Sequence, residues 1–243
     1  MDGQPQLDLF PFVGPGAGSA TRYGSSRIVC WTKMNAESGE DLEQIIRRKE
    51  FERKAGKGNF LWGIGTALDF SKIDMSRPNI PVFFSKMISP AKRVDSAPDV
   101  VVVWRKYISV EGDSIELPPY ALITSRGHSA KSVKTKHYAL VCRTANALFL
   151  RNHRKFDPAA YRNVGGRNRQ PGSSQVTALI NRVASESNHG RYFINMKAEL
   201  VPPYTIQLAD PIIVTPKDRA LLAAKDIDTR QWLKLVAKVR RSN

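Results

Sequence analysis

"ESGEDLEQIIRRKEFERKAGKGNFLWGIG", residues 37–65, carries a helix, its stop and a strand in one continuous stretch. Ser38 is suited to cap a helix, acidic residues follow in its first turn, basic residues fill its last, and Gly56 ends it. Leu42, Ile45, Ile46 and the stem of Lys49 recur at helical spacing. The Glu and Arg side chains are thereby assigned to the solvent face. After the glycines, "NFLWGIG" is short, apolar and aromatic, which predicts a strand.

The pattern on either side extends this reading. "RIVCW" precedes the helix as an apolar strand, and "PVFFSKM", "DVVVVWRKYISV", "YALITS", "HYALVC" and "ALFLR" follow as further extended runs separated by Gly, Pro, Ser or Asp. "VVVVWRKYISV" is apolar without alternation at first and alternates later, as expected of a central strand that ends near a wet face. Residues 174–187, "SQVTALINRVASES", read as a second helix, and "TPKDRALLAAKDIDTRQWLKLVAKVRR" as one or two more. The expected fold class is α+β: a small curved or closed mixed β-sheet flanked by helices, with a helical C-terminus. Residues 1–25, rich in Gly, Pro and Ser, are read as a flexible N-terminal arm, and 26–243 as a single domain. "IELPPYALI" (115–123) and "AELVPPYTIQL" (198–208) echo one another, and in both the Pro pair is expected to end one element before Tyr opens a strand.

Composition narrows the partner. The 38 Lys plus Arg outnumber the 22 Asp plus Glu, for a formal charge of +16. From Arg126 to Arg191 there are thirteen Lys or Arg against Asp157 and Glu186 alone. Such a concentration calls for a polyanion, and the region lacks the bulky apolar face of a membrane-surface helix. No run approaches the roughly 18 apolar residues of a membrane span, and the first twenty residues are acidic where a secretory leader is basic, so an intracellular chain is expected. Cys30 and Cys142 lie within apolar runs and read as buried free thiols.

Catalysis finds no anchor. His128, His137, His153 and His189 make no metal-binding pair, and no nucleophile elbow, Walker loop or dinucleotide fingerprint is present, so neither a cofactor nor a metal is implied. Asp41 and Glu52-Arg53-Lys54 have the letters of a restriction-type nuclease site. Eleven residues along one helix, however, separate the two acids by about 16 Å, too far to share one ion. A metal-dependent nuclease with ligands drawn from distant segments therefore stands as the alternative, and a structural component of a nucleoprotein assembly as the second.

Lys49-x-x-Glu52-x-Lys54, placed after a strand and on an amphipathic helix, resembles the Gly-x-Lys-x-x-Glu-x-Arg pattern of ASCH domains. These belong to the PUA-like group of small β-barrels that also holds the EVE and YTH domains. Arg47 stands where that pattern has Gly and Lys54 where it has Arg, and the resemblance spans about residues 27–68. It implies a PUA-like barrel that recognises RNA or modified DNA, with a base held in a cleft between the barrel and its early helix.

The residues themselves supply matching chemistry. Trp31, Trp62 and Trp104 fall in expected strands beside Lys33, Lys57, Arg105 and Lys106, and an indole next to a cation suits stacking of an unpaired base. They form the expected base pocket. Lys49, Lys54 and Arg126 are expected to rim it, and Lys57 is a further expected nucleic-acid contact. Lys131, Lys134 and Lys136, with Arg162, Arg167 and Arg169, are the expected phosphate contacts on Gly- and Ser-containing loops. DNA or RNA is the expected partner. Six neutralised phosphates on duplex DNA would give a log–log salt slope of about −5.

Overall fold

Most of the apolar runs become strands, and one strand is far longer than the sequence suggests; "YALITS" meets β6 only at Thr124 and Ser125, with Tyr120, Leu122 and Ile123 outside the described residues. In the computed structural model the described residues are 28–34, 42–71, 73, 80–87, 100–118, 121, 124–127, 136–145, 149–156, 161–164, 177–182, 192–213 and 234. They form β1 (Ile28–Lys33), α1 (Leu42–Ala55), β2 (Asn59–Ile64), β3 (Ile80–Met87), β4 (Val100–Ile108) and β5 (Ser114–Glu116). β6 (Thr124–Gly127), β7 (His137–Arg143), β8 (Phe149–Phe156), β9 (Tyr161–Asn163), β10 (Thr177–Arg182) and β11 (Tyr192–Ile213) complete the order. The pairing path is β2-β7-β11-β3-β1-β10-β9, with β4 and β8 attached to β11, and β5 and β6 to β4. β1 and β3 are parallel, whereas β11 runs antiparallel to every partner, so the sheet is mixed.

β11 is the spine. At 22 residues it would extend about 70 Å if straight, against an expected radius of gyration of roughly 18 Å for a chain this long. It is broken by irregularities instead. Its register shifts between Ile194 and Met196 and again between Leu200 and Thr205, and Tyr204 and Asp210 adopt φ of 63° and 54°. Across the second shift Leu200 faces Cys142 and Thr205 faces Leu140, so residues 201–204 bulge opposite Val141. Pro202 and Pro203 thus lie inside one strand, where the sequence reading had them end an element.

That shift also exchanges the strand's faces. Met196, Ala198 and Leu200 enter a first core cluster, whereas Ile206 and Leu208 enter a second. β7 divides in the same way: Leu140 and Cys142 point to the first cluster, Ala139 and Val141 to the second. In β2, Phe60, Trp62 and Ile64 face the first and Leu61 the second. Strands buried on both sides have no polar face to show, which is why these runs lack alternation.

Ring contacts report the curvature. β7 and β11 separate β2 from β3 in the pairing path, about 14 Å in a flat sheet. The Trp62 and Phe84 rings nevertheless meet with centroids 4.7 Å apart. The sheet is therefore strongly curved around the first cluster. It does not close among the described residues, because β2 and β9 occupy the two ends of the path.

Two expectations change. Residues 177–182 form β10 rather than a helix, held antiparallel between β1 and β9, with Leu179 and Ile180 both buried. Consecutive buried apolar residues with a strand on each side outweigh helical spacing. Among the proposed C-terminal helices only Lys234 is described, in helical conformation. The N-terminal arm, Ser38 and Asp41 lie outside the described residues.

Candidate nucleic-acid interface

The end of α1 sets three cations around one turn. The N–H of Gly58 donates to the Arg53 carbonyl at 2.7 Å, and that of Gly56 to the Glu52 carbonyl at 2.7 Å. This closure requires a left-handed residue between them, and Lys57 takes it with φ 51°. Gly58 follows at φ 100°, and a Cβ there would lie 3.1 Å from the Thr144 carbonyl oxygen and 3.7 Å from Cγ of Arg143. Thr144 returns an N–H to the Gly58 carbonyl at 2.9 Å. Lys54, Lys57 and Arg143 are all exposed around this junction. Glu199 lies opposite Arg143 in the strand register, but an exposed pair of that kind is weakly held in water.

Lys57 occupies a conformation that glycine adopts at lower cost. Lys57→Gly is expected to raise unfolding stability by about 0.5–1 kcal/mol, measured by urea denaturation. Unchanged or lower stability would show that the lysine side chain contributes to the fold.

Lys49 and Glu52 do something other than rim a binding cleft. Lys49 is 5% exposed and Glu52 0%. The Lys49 ammonium donates to Glu52 Oε2 at 2.7 Å and to the Leu61 carbonyl oxygen, while Glu52 Oε1 accepts the Leu61 N–H at 2.8 Å. β2 ends the pairing path, so among the described residues no strand neighbours the outer side of its backbone. The i,i+3 pair closes on that side of the Leu61 peptide groups and satisfies donor and acceptor together. Assignment of these two charges to solvent or to phosphate is corrected accordingly. Arg53, one residue on, binds Glu50 through Nε at 3.0 Å and Nη2 at 2.6 Å, which keeps its guanidinium well charged, and it reaches the Ala145 carbonyl at 3.4 Å.

The three tryptophans are not gathered into one pocket. Trp31 is 0% exposed, and its indole N–H donates to Ser85 Oγ at 2.7 Å. Trp62, 8% exposed, belongs to the first cluster; Trp104, 2% exposed, belongs to the second and lies 5.1 Å from the His137 ring. Their indole faces are covered by protein, so the expected pocket of Trp31, Trp62 and Trp104 is corrected to three separate core positions. Large aromatic rings in doubly covered strands are worth more in packing than at a surface.

The other expected contacts divide by position. Lys136 is exposed immediately before β7. Arg126 lies on β6 opposite Val101, and Arg162 on β9 opposite Asn181; their side chains lie outside the description. Lys131, Lys134, Arg167 and Arg169 are outside the described residues altogether. Sequence reasoning missed Arg143, whose place at the end of an apolar strand was the available signal, and a half-buried aromatic group, Phe70, Tyr138 and Tyr204, at the border of the first cluster.

Among the described residues, no three His, Cys, Asp or Glu side chains group as metal ligands. Both Glu52 oxygens are committed to Lys49 and Leu61, which removes that carboxylate from the nuclease arrangement. Cys30 and Cys142 are free and fully buried, and burial raises both thiols above their ordinary range, so they behave as small apolar groups. No described helix is long and apolar enough to cross a membrane. Comparison with protein-family models, curated proteins and solved structures yields no match to this chain.

Proposed function

We propose that this protein binds DNA or RNA, and that Lys54, Lys57 and Arg143 form one of its phosphate-contacting surfaces, continued by Lys136 and by the basic segment from Arg126 to Arg191. A PUA-like fold is part of the proposal. It is supported by the strong curvature of the mixed sheet and by an early helix docked through Lys49 and Glu52, the two residues shared with the ASCH pattern.

One observation carries the reading: Lys57 retains a long cationic side chain at a left-handed position suited to glycine. Backbone conformations of this cost persist where the side chain serves a purpose, and a cation beside Lys54 and Arg143 serves to hold an anion. The formal charge of +16 supplies the long-range attraction.

Fluorescence anisotropy with a labelled 20-base-pair duplex, from about 50 to 200 mM salt, tests it. Binding should weaken with a log–log slope of at least about −2.7 if only Lys54, Lys57 and Arg143 touch phosphate, and more steeply if the loops join them. Lys57→Gly should flatten the slope by about 0.9. A salt-independent signal, or none, would refute the reading; Mg²⁺-dependent shortening of the labelled strand would transfer it to the nuclease class.

A further inference from the structure

The buried tryptophans leave open where an unpaired base would stack. Phe70 and Tyr204 are half-buried, with ring centroids 5.2 Å apart and planes tilted by 30°. Both border the first core cluster, as do Leu68 and Tyr138. Tyr204 adopts φ 63° at the end of the 201–204 bulge, a conformation that is a true outlier for a bulky side chain. The fold therefore holds this ring at the rim against a backbone preference. Burial raises the Tyr204 phenol above its ordinary value, so it stays a neutral hydrogen-bond donor at physiological pH.

Charge lies farther along β7: the register puts the 201–204 bulge level with Val141, five residues from Lys136, about 16 Å of strand. Tyr138 lies opposite Ile64 of β2, and exposed Lys136 is two residues earlier, on the same side of the chain in strand geometry. Aromatic faces with a cation farther along the surface are an arrangement that receives a base and the phosphate chain beyond it, and stacking tolerates any base because each has a π-face.

We infer that Phe70 and Tyr204 form a stacking site for an unpaired nucleobase of single-stranded RNA or DNA, with Lys136 on the phosphate chain beyond the stacked nucleotide; this rests on the nucleic-acid reading above. The occupant is a base rather than an apolar peptide because the chain is strongly cationic and the tyrosine offers a polar edge for base heteroatoms.

The test uses the full chain and fluorescein-labelled U10, dT10 and a ten-unit abasic deoxyribose phosphate, read by anisotropy. Tyr204→Asn removes the ring while keeping a residue that tolerates positive φ; Phe70→Leu removes the other while keeping apolar cover. Thermal melts establish that each variant is folded. The wild-type protein should bind dT10 about 5- to 150-fold more tightly than the abasic chain, and each variant should lose most of that difference without changing its salt slope. A preference for U10 over dT10 would identify RNA as the source of the base, and the reverse would identify DNA. Salt-dependent binding with no preference for bases over the abasic chain, or folded variants that bind like the wild-type protein, would overturn the stacking site alone. Failure of the wild-type protein to bind any of the three would overturn the nucleic-acid reading with it.

Discussion

Glu52→Ala is expected to lower unfolding stability by about 3–5 kcal/mol, the usual cost of removing one partner from a buried ion pair. The reason is local. Glu52 has no solvent exposure, and its loss leaves the Lys49 ammonium without this counter-charge and the Leu61 N–H without its acceptor. Total stabilities of about 5–15 kcal/mol make this a large fraction of what holds a domain folded. Glu52→Gln should cost less, since the amide oxygen can still accept from Leu61. The paired change Lys49→Met with Glu52→Leu should cost less than the two single losses combined, because no charge remains buried. It should still cost about 1–3 kcal/mol for each unsatisfied Leu61 group. Urea unfolding provides the measurement, and a Glu52→Ala protein within about 1 kcal/mol of wild type would contradict the docking role.

Simultaneous replacement of Lys54, Lys57 and Arg143 by Ala is expected to flatten the salt dependence of duplex binding by about 2.7 log–log units. Across 50–200 mM salt this corresponds to about 40-fold of affinity change carried by these side chains. All three are exposed, and none contributes to either core cluster. Stability should therefore stay close to wild type apart from the small effect at Lys57. If binding and slope persist unchanged, the phosphates are held elsewhere on the molecule.

Parts of this architecture were readable from residues alone. α1 and its glycine stop follow from spacing and punctuation, and the strands from β-branched and aromatic runs between Gly, Pro and Ser. Unalternated runs such as "NFLWGI" and "VVVVW" carry a signal that the sequence reading of Trp62 and Trp104 passed over: where both faces are covered, a ring in such a run packs inward. β10 was missed because "TALINR" has no alternation, and only its neighbours β1 and β9 decide its state. The length and bends of β11 depend on contacts with four strands that no local window contains.

The charges at Lys49 and Glu52 show a subtler limit. Ile45, Lys49 and Glu52 are spaced by four and three residues, so they share one helix face, and that face is the docked one. Counting charges as solvated concealed it. Once β2 is recognised as the end of the path, a donor and an acceptor side chain at i and i+3 become the complement of an uncovered peptide edge. Tyr204 gave no comparable signal, because its exposure arises from the bulge and not from its neighbours in sequence.

Amide hydrogen exchange on the full chain, with and without a single-stranded oligonucleotide at low salt, tests the proposed surface most directly. Protection is expected at residues 54–58 and 143–145 and should disappear when salt is raised to about 1 M, where screening is within about 3 Å. Exchange at those amides that ignores the oligonucleotide, while other segments become protected, would contradict the assignment of phosphate binding to this turn.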